Sequence, residues 1–314
     1  MTAGERAPQA GAAKDRAPDV GAGDVGAGED VAEPDGASAA PLPAPCYGPI
    51  ERKVRRFGEA LLRDPIETLL YVPEHVLMRY DHFPELSPAL DWQERLHGLM
   101  GVPWPCDEAA AGQRMRTEVA TELAERGLAV GRNTYRGYSD GDTALAEAVW
   151  CAVRHLQPET VLETGVARGV TSRIVLEALE RNGTGVLWSI DLPHPFDPTL
   201  HGQTGAAVPE RCRPRWHYVR GSSRRRLADV IERIGPVGLF IHDSLHTTRN
   251  TLFELERVGA ALQPGGLVVV DDANMNEGFS RFLAQRPDFH GLICASADGR
   301  GVFAVGRAAD SPRA

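Results

Sequence analysis

Acidic side chains at the ends of two apolar runs offer the most chemistry in this chain. The run 237–242 leads into Asp243-Ser244-Leu245-His246, and the run 266–271 leads into Asp271-Asp272-Ala273-Asn274. Short, continuously apolar runs are what strands of a parallel sheet look like when both faces are covered. The carboxyl ends of neighbouring strands in such a sheet open on one crevice, so Asp243, Asp271 and Asp272 are expected to converge there. Three carboxylates in one place repel one another unless a cation neutralises them. Oxygen ligands favour a hard ion, Mg2+ before Mn2+ or Ca2+. An ion so held lowers the pKa of a bound oxygen, and His246, with an ordinary pKa of ~6.5, suits removal of the proton. A competing reading has one aspartate capping the next helix. Asn274 and Asn276 fit either as extra ligands or as caps for a helix starting near 277. His242, inside its run, is expected to pack against the sheet.

A second group lies earlier. The run 160–166 ends in Glu163-Thr164-Gly165-Val166-Ala167-Arg168-Gly169, and a helix pattern follows at once. Glycines at a strand-to-helix turn let a ligand approach the backbone, and the helix start offers free N–H groups. The dinucleotide pattern G-x-G-x-x-G is not met, because Val166 and Ala167 stand between the two glycines, which disfavours a nicotinamide dehydrogenase. The next run, 186–192, carries Asp191 at its carboxyl end, where an acid can accept hydrogen bonds from both hydroxyls of a ribose.

With these motifs in hand (ETGVARG, SIDL, RGSS, IHDSLHT and VVVDDANMN) the stretch 135–307 resembles class I S-adenosylmethionine-dependent methyltransferases of the family-24 type. It is similar in its acidic motifs to metal-dependent macrolide-sugar O-methyltransferases. The resemblance implies that Glu163, Thr164, Gly165 and Gly169 flank the methionine end of S-adenosylmethionine, that Asp191 binds its ribose and that Ser222 lies near its adenine. It implies Mg2+ on Asp243, Asp271 and Asp272, with His246 as base. Ala167 departs from the commonest glycine-rich form. The activity implied is O-methylation of a small-molecule hydroxyl on a sugar or natural product, with no nucleic acid or membrane partner. The alternative is the same cofactor-binding fold turned to a non-methylating reaction such as cyclisation.

The elements that must position these residues alternate regularly. Strands are expected at 160–166, 186–192, 216–220, 237–242 and 266–271, with helices between them and Asp142 capping a helix over 143–156. Runs at 289–295 and 301–305, joined through Asp298-Gly299, suit a hairpin. The fold class is therefore α/β: a doubly wound, seven-stranded Rossmann-like methyltransferase sheet with its last strand antiparallel and an N-terminal helical cap. Residues 46–140 are helical in pattern (51–62 and 114–126) but broken by prolines, with Trp92 and Trp104 as packing anchors. They read as a cap or lid, and 141–314 as the catalytic domain. The long connection 193–214 is expected to close over the acceptor with that cap. A helical segment of this kind also leaves room for a homo-oligomer.

Of the net charge of −9, residues 1–45 carry −5 (eight acidic against three basic residues), so the remainder is only mildly acidic. That balance does not suit a phosphate-backbone binder. The first 45 residues hold almost no large apolar side chain and read as a disordered tail. The five cysteines form no C-x-x-C pair, and no histidine is read at metal spacing, so reduced thiols in a cytoplasmic protein are expected.

Overall fold

The computed structural model describes residues 49–310 apart from 132, 133, 136–139, 141, 298 and 300. The expected tail, and Asp298 of the expected turn, lie outside the described residues. Seven strands form one sheet: β1 (Thr160–Thr164), β2 (Val186–Asp191), β3 (Trp216–Arg220), β4 (Val237–His242), β5 (Leu262–Val270), β6 (Phe289–Ala295) and β7 (Val302–Ala308). Their spatial order is β3-β2-β1-β4-β5-β7-β6. The first five run parallel, and β7 enters antiparallel between β5 and β6. The expected fold class is observed. β5 begins at Leu262, earlier than its apolar run, because Gln263 and two glycines hid the first half.

The helices are α1 (Pro49–Arg63), α2 (Pro65–Leu77), α3 (Trp92–Met100), α4 (Asp107–Glu125), α5 (Thr143–Leu156), α6 (Val170–Asn182), α7 (Ser223–Ile234), α8 (Thr248–Gly259) and α9 (Gly278–Gln285). α5 starts where expected, because Asp142 accepts the N–H groups of Ala144 and Leu145. Among the described residues, no helix is long and apolar enough to cross a membrane.

Two cores lie on the two faces of the sheet, and the pleat assigns side chains to them. Leu239, Ile241, Leu267 and Val269 join Trp92, Trp150 and Ile174 in one core. Phe240, Val268 and Val270 join Leu227, Leu255 and Phe279 in the other. Along β1, Val161 faces the first core and Leu162 the second. Glu163 therefore points toward α6, and Thr164 toward α8.

The helices before 140 do not act as one body over the sheet. α4 packs on α5 and α3 on α5 and β6, extending the helical layer on one face. Trp92 is buried edge-on to Phe303, with centroids 5.2 Å apart, as an anchor should be. Trp104 corrects its expectation: it is 37% exposed and rests only on its edge of the layer, against His97. α2 instead lies across the carboxyl ends of the strands. Its Pro73 sits inside the helix rather than breaking it.

Candidate active site

The turn after β1 is shaped by backbone that L-residues adopt reluctantly. Gly165, Ala167 and Gly169 have φ of 85°, 46° and 79°. A Cβ at Gly165 would lie 1.9 Å from the carbonyl oxygen of Asp243, so only glycine fits. Gly169 then opens α6 without a side-chain cap hydrogen bond.

Glu163 is fully buried; one carboxylate oxygen accepts from Ser172 Oγ and Ser189 Oγ, both at 2.6 Å. Its other oxygen has no hydrogen bond among the described residues. Burial pushes this carboxyl up to about 7, against the pull of the two serines. Asp191 accepts the Val166 N–H at 3.1 Å. Ala167 N–H and the Tyr218 hydroxyl also bind it, yet burial raises its carboxyl to about 6. The acid expected for a ribose is thus tied to the glycine turn itself.

Ser222 precedes α7. Its hydroxyl is buried without a hydrogen bond among the described residues, and its N–H donates to Glu67 of α2 at 3.0 Å. Glu74, two turns on, accepts from Thr247 Oγ1 at 3.1 Å and pairs with Arg224 and Arg249 at 3.1 and 3.2 Å. α2 therefore sets two acids against the positive N-termini of α7 and α8. Between α1–α2 and the strand ends remains a cavity of about 20 Å3, lined by Asp64, Glu67, Leu192, Pro193 and Arg220. It holds about one water molecule, and Glu67 of α2 covers the Ser222 N–H from the same side.

The connection 193–214 packs on the glycine turn. Gly205 N–H donates to Ala167 O at 3.0 Å and Ala207 N–H to Arg168 O at 2.8 Å. Phe196 meets Tyr71 of α2 edge-on at 5.3 Å. The buried Arg168 guanidinium ties this region together, pairing with Asp140 at 3.2 Å and donating to Thr134 O and Gln203 Oε1, both at 3.0 Å. The loop thus borders the β1–β3 ends, on the side of Asp191, while α2 reaches from Ser222 after β3 to Thr247 after β4.

At the ends of β4 and β5, Asp243, His246 and Asp271 offer ligand atoms within 4.8 Å of one another. Burial, Asp271 and Asp272 raise Asp243 well above the usual carboxylate range. Burial and Asp272 push Asp271 up to about 7. This is the state of acids that crowd one another without a countercharge. The donor set, two half-buried carboxylates with a third adjoining, fits a hard divalent ion.

The composition of that set departs from the expected trio. His246 belongs to it, and Asp272, whose side chain is 49% exposed, stands outside. The reason is local: Asp272 has a left-handed φ of 48°, which turns its carboxylate away from that of Asp271. It meets the far side of His246, with Nδ1 at 3.5 Å, while Nε2 faces Asp243 at 3.7 Å. Burial and His242 depress the imidazole to about 3, which keeps it neutral and weakens it as a base near neutral pH. Its side chain is still 21% exposed, so a substrate can reach it.

The sequence reading passed over Glu254 of α8. It is fully buried and accepts from Thr164 Oγ1 at 2.5 Å, His242 Nδ1 at 2.7 Å and Ser244 Oγ at 2.8 Å. His242 and these donors hold its carboxyl down at about 2, overriding its burial. It braces the ends of β1 and β4 and keeps His242 within the fold, as expected of that histidine. The signal was a glutamate at an apolar-face position, beside Thr251, Leu255 and Val258. Asn276 caps α9 through Gly278 N–H at 2.8 Å. Asn274 Oδ1 is buried without a hydrogen bond among the described residues.

Residues 162–273 match the family model of a methyltransferase domain, family-24 type. No curated protein matches the chain. Similar solved structures include an O-methyltransferase from Bacillus cereus in complex with SAH, 16% identical, covering 69% of this chain and 98% of its own, TM-score 0.48. TomG, an O-methyltransferase from Streptomyces achromogenes involved in tomaymycin synthesis and in complex with SAM, is 17% identical over 62% of this chain and 89% of its own, TM-score 0.47. A putative caffeoyl-CoA O-methyltransferase from Staphylococcus aureus is 12% identical over 69% and 98%, TM-score 0.44.

Proposed function

We propose, from the premise that residues 162–273 are a class I S-adenosylmethionine-dependent methyltransferase domain, that the chain methylates a hydroxyl oxygen of a small molecule with the help of a divalent cation. The observation that carries this reading is the grouping of Asp243, His246 and Asp271 within 4.8 Å, in backbone contact with the glycine turn. S-adenosylmethionine, when bound, supplies a methyl group on a sulfonium. Glu163 and Gly165 border its methionine end, Asp191 takes its ribose, and Ser222 lies beside its base. Asp243 and Asp271, with Asp272 adjoining, hold the cation, which when bound lowers the pKa of the acceptor hydroxyl. His246 accepts the hydroxyl proton on its free lone pair. The remaining task is alignment of oxygen, carbon and sulfur, which rigid strand ends perform well.

The likeness in motifs to sugar methyltransferases supports a sugar or other hydroxylated natural product as acceptor. Within the expected cap, 46–140, α1–α2 is then the part that borders the crevice among the described residues. A panel of glycosides and phenols incubated with methyl-labelled S-adenosylmethionine, with and without a chelator, tests the proposal. Label is expected on oxygen in the presence of Mg2+ and to drop sharply on chelation. Transfer to oxygen that is indifferent to chelation would remove the cation from the account.

A second reading is favoured by the same 4.8 Å grouping: His246 as a ligand of the cation rather than the base. The two differ in what His246→Gln does to cation affinity.

A further inference from the structure

Remote from the strand ends, four side chains that sequence spacing had not connected come together. His97 of α3, Cys106 just before α4, and Cys151 and His155 of α5 offer ligand atoms that all lie within 4.8 Å of one another. This overturns the expectation that no histidine partners a cysteine. Cys151 and His155 are four residues apart on one helix and so share a face. The other two ligands arrive from elsewhere in the chain.

We propose that this cluster is a structural zinc site. The ligand chemistry is that of zinc, two thiolates and two imidazoles, with no oxygen donor to favour a hard ion. His97 Nε2 lies 2.9 Å from Cys106 Sγ, and His155 Nε2 lies 3.5 Å from the same sulfur. Bond lengths of about 2.3 Å to sulfur and 2.0–2.1 Å to nitrogen give tetrahedral edges of roughly 3.4–3.8 Å, so side-chain movements of about an ångström complete the shell.

An independent observation points the same way. His97 Nδ1 lies 2.7 Å from the carbonyl oxygen of Gln93. A carbonyl only accepts, so Nδ1 carries the proton and Nε2 presents its lone pair to the cluster. Outer-shell carbonyls fix metal-binding histidines in this way. Cys106 occupies the N-cap position of α4 without a side-chain cap bond, so its sulfur is not committed to the helix. His97 and Cys151 are buried, while Cys106 and His155 are partly exposed and give an ion its way in.

Binding displaces one proton from each thiol. Zn2+ with two thiolates and two neutral imidazoles is uncharged overall, which suits a half-buried place. All four positions are filled by protein, so the ion has no open site for chemistry. It clips α3 and the 101–106 segment to α5, whose opposite end begins at Thr143, about 18 Å away at 1.5 Å per residue.

The full chain, purified without a histidine tag under reducing conditions, is tested by elemental analysis and by cobalt replacement. One zinc per chain is expected, surviving dialysis and persisting in the double variant Asp243→Asn/Asp271→Asn. Cobalt in its place is expected to show tetrahedral d–d bands and a thiolate-to-cobalt charge-transfer band. Cys106→Ser and His155→Ala are each expected to lose the zinc and lower the melting midpoint, by an amount that chelation of the wild type reproduces. The cobalt spectrum needs no variant, so misfolding of a mutant leaves the test intact. Wild-type chain that takes up neither ion overturns the proposal. So does zinc retained in both Cys106→Ser and His155→Ala, or a Cys106–Cys151 disulfide in chain isolated without reductant.

Discussion

Gly165 and the carbonyl oxygen of Asp243 stand so close that a Cβ on the glycine would lie 1.9 Å from that oxygen. The glycine turn after β1 and the turn that bears the first acid are therefore one backbone contact. Gly165→Ala must both push this contact apart and hold a left-handed φ. Together these should cost about 2–4 kcal/mol of stability, read by denaturant unfolding, and should weaken S-adenosylmethionine and Mg2+ binding at once. Loss of one ligand without the other would show that the two turns are not coupled.

Ala167 is the opposite case. It has a φ of 46°, in the left-handed region that favours glycine. Relief of a left-handed alanine is worth roughly 1–2 kcal/mol, and the added freedom of the unfolded chain takes back about 0.5–1. Ala167→Gly should accordingly stabilise the protein by up to about 1 kcal/mol in equilibrium unfolding. A destabilised variant would mean that the alanine methyl packs to some purpose.

His246→Gln separates base from ligand. A base lost from the site should lower kcat by about 10^2–10^4 with cation affinity unchanged. A ligand lost should weaken Mg2+ binding and recover part of the rate at high Mg2+. Calorimetry with Mg2+ alone and kinetics at saturating Mg2+ distinguish them.

The acids also predict a pH dependence. Asp271 sits near 7 and Asp243 is raised, so a cation must displace protons from them below neutrality. Mg2+ affinity should rise between about pH 6 and about pH 8 and then level off. The metal-free fold should behave oppositely. A carboxyl raised from about 4 to about 7 makes the folded state bind more protons than the unfolded one across that window. Its stabilising contribution is therefore complete at the acid end and lost as pH climbs through 7. Glu163, at about 7, and Asp191, at about 6, add in the same sense. Melting midpoints with and without Mg2+ at the two pH values read both effects, and Mg2+ binding that ignores pH would contradict this picture of crowded acids.

The fold was legible because short strand-like runs at β1, β2 and β4 alternate with helical stretches and Asp142 announces α5. Convergence of Asp243 and Asp271 followed from topology alone, since adjacent strands end at one crevice. What stayed hidden depends on tertiary placement. Glu254 looks like any helical acid until α8 lies on β4. Glu67 and Glu74, seven apart, reveal their common face only when α2 crosses α7 and α8. Asp272, with its left-handed φ of 48°, stands beside the 4.8 Å grouping rather than in it, and propensity gives no warning of that in an aspartate. The cysteine and histidine cluster was invisible for a plainer reason: α3 and α4 carry half of it.

The central claim is that the crevice receives S-adenosylmethionine against Asp191, and calorimetric titration with that ligand tests it without any knowledge of the acceptor. The account predicts saturable one-to-one binding to the wild type, weakened about 10-fold or more in Asp191→Ala, as expected when a charged hydrogen-bond partner worth about 1.5–3 kcal/mol is removed. No binding to the wild type, or equal binding to both proteins, would contradict it.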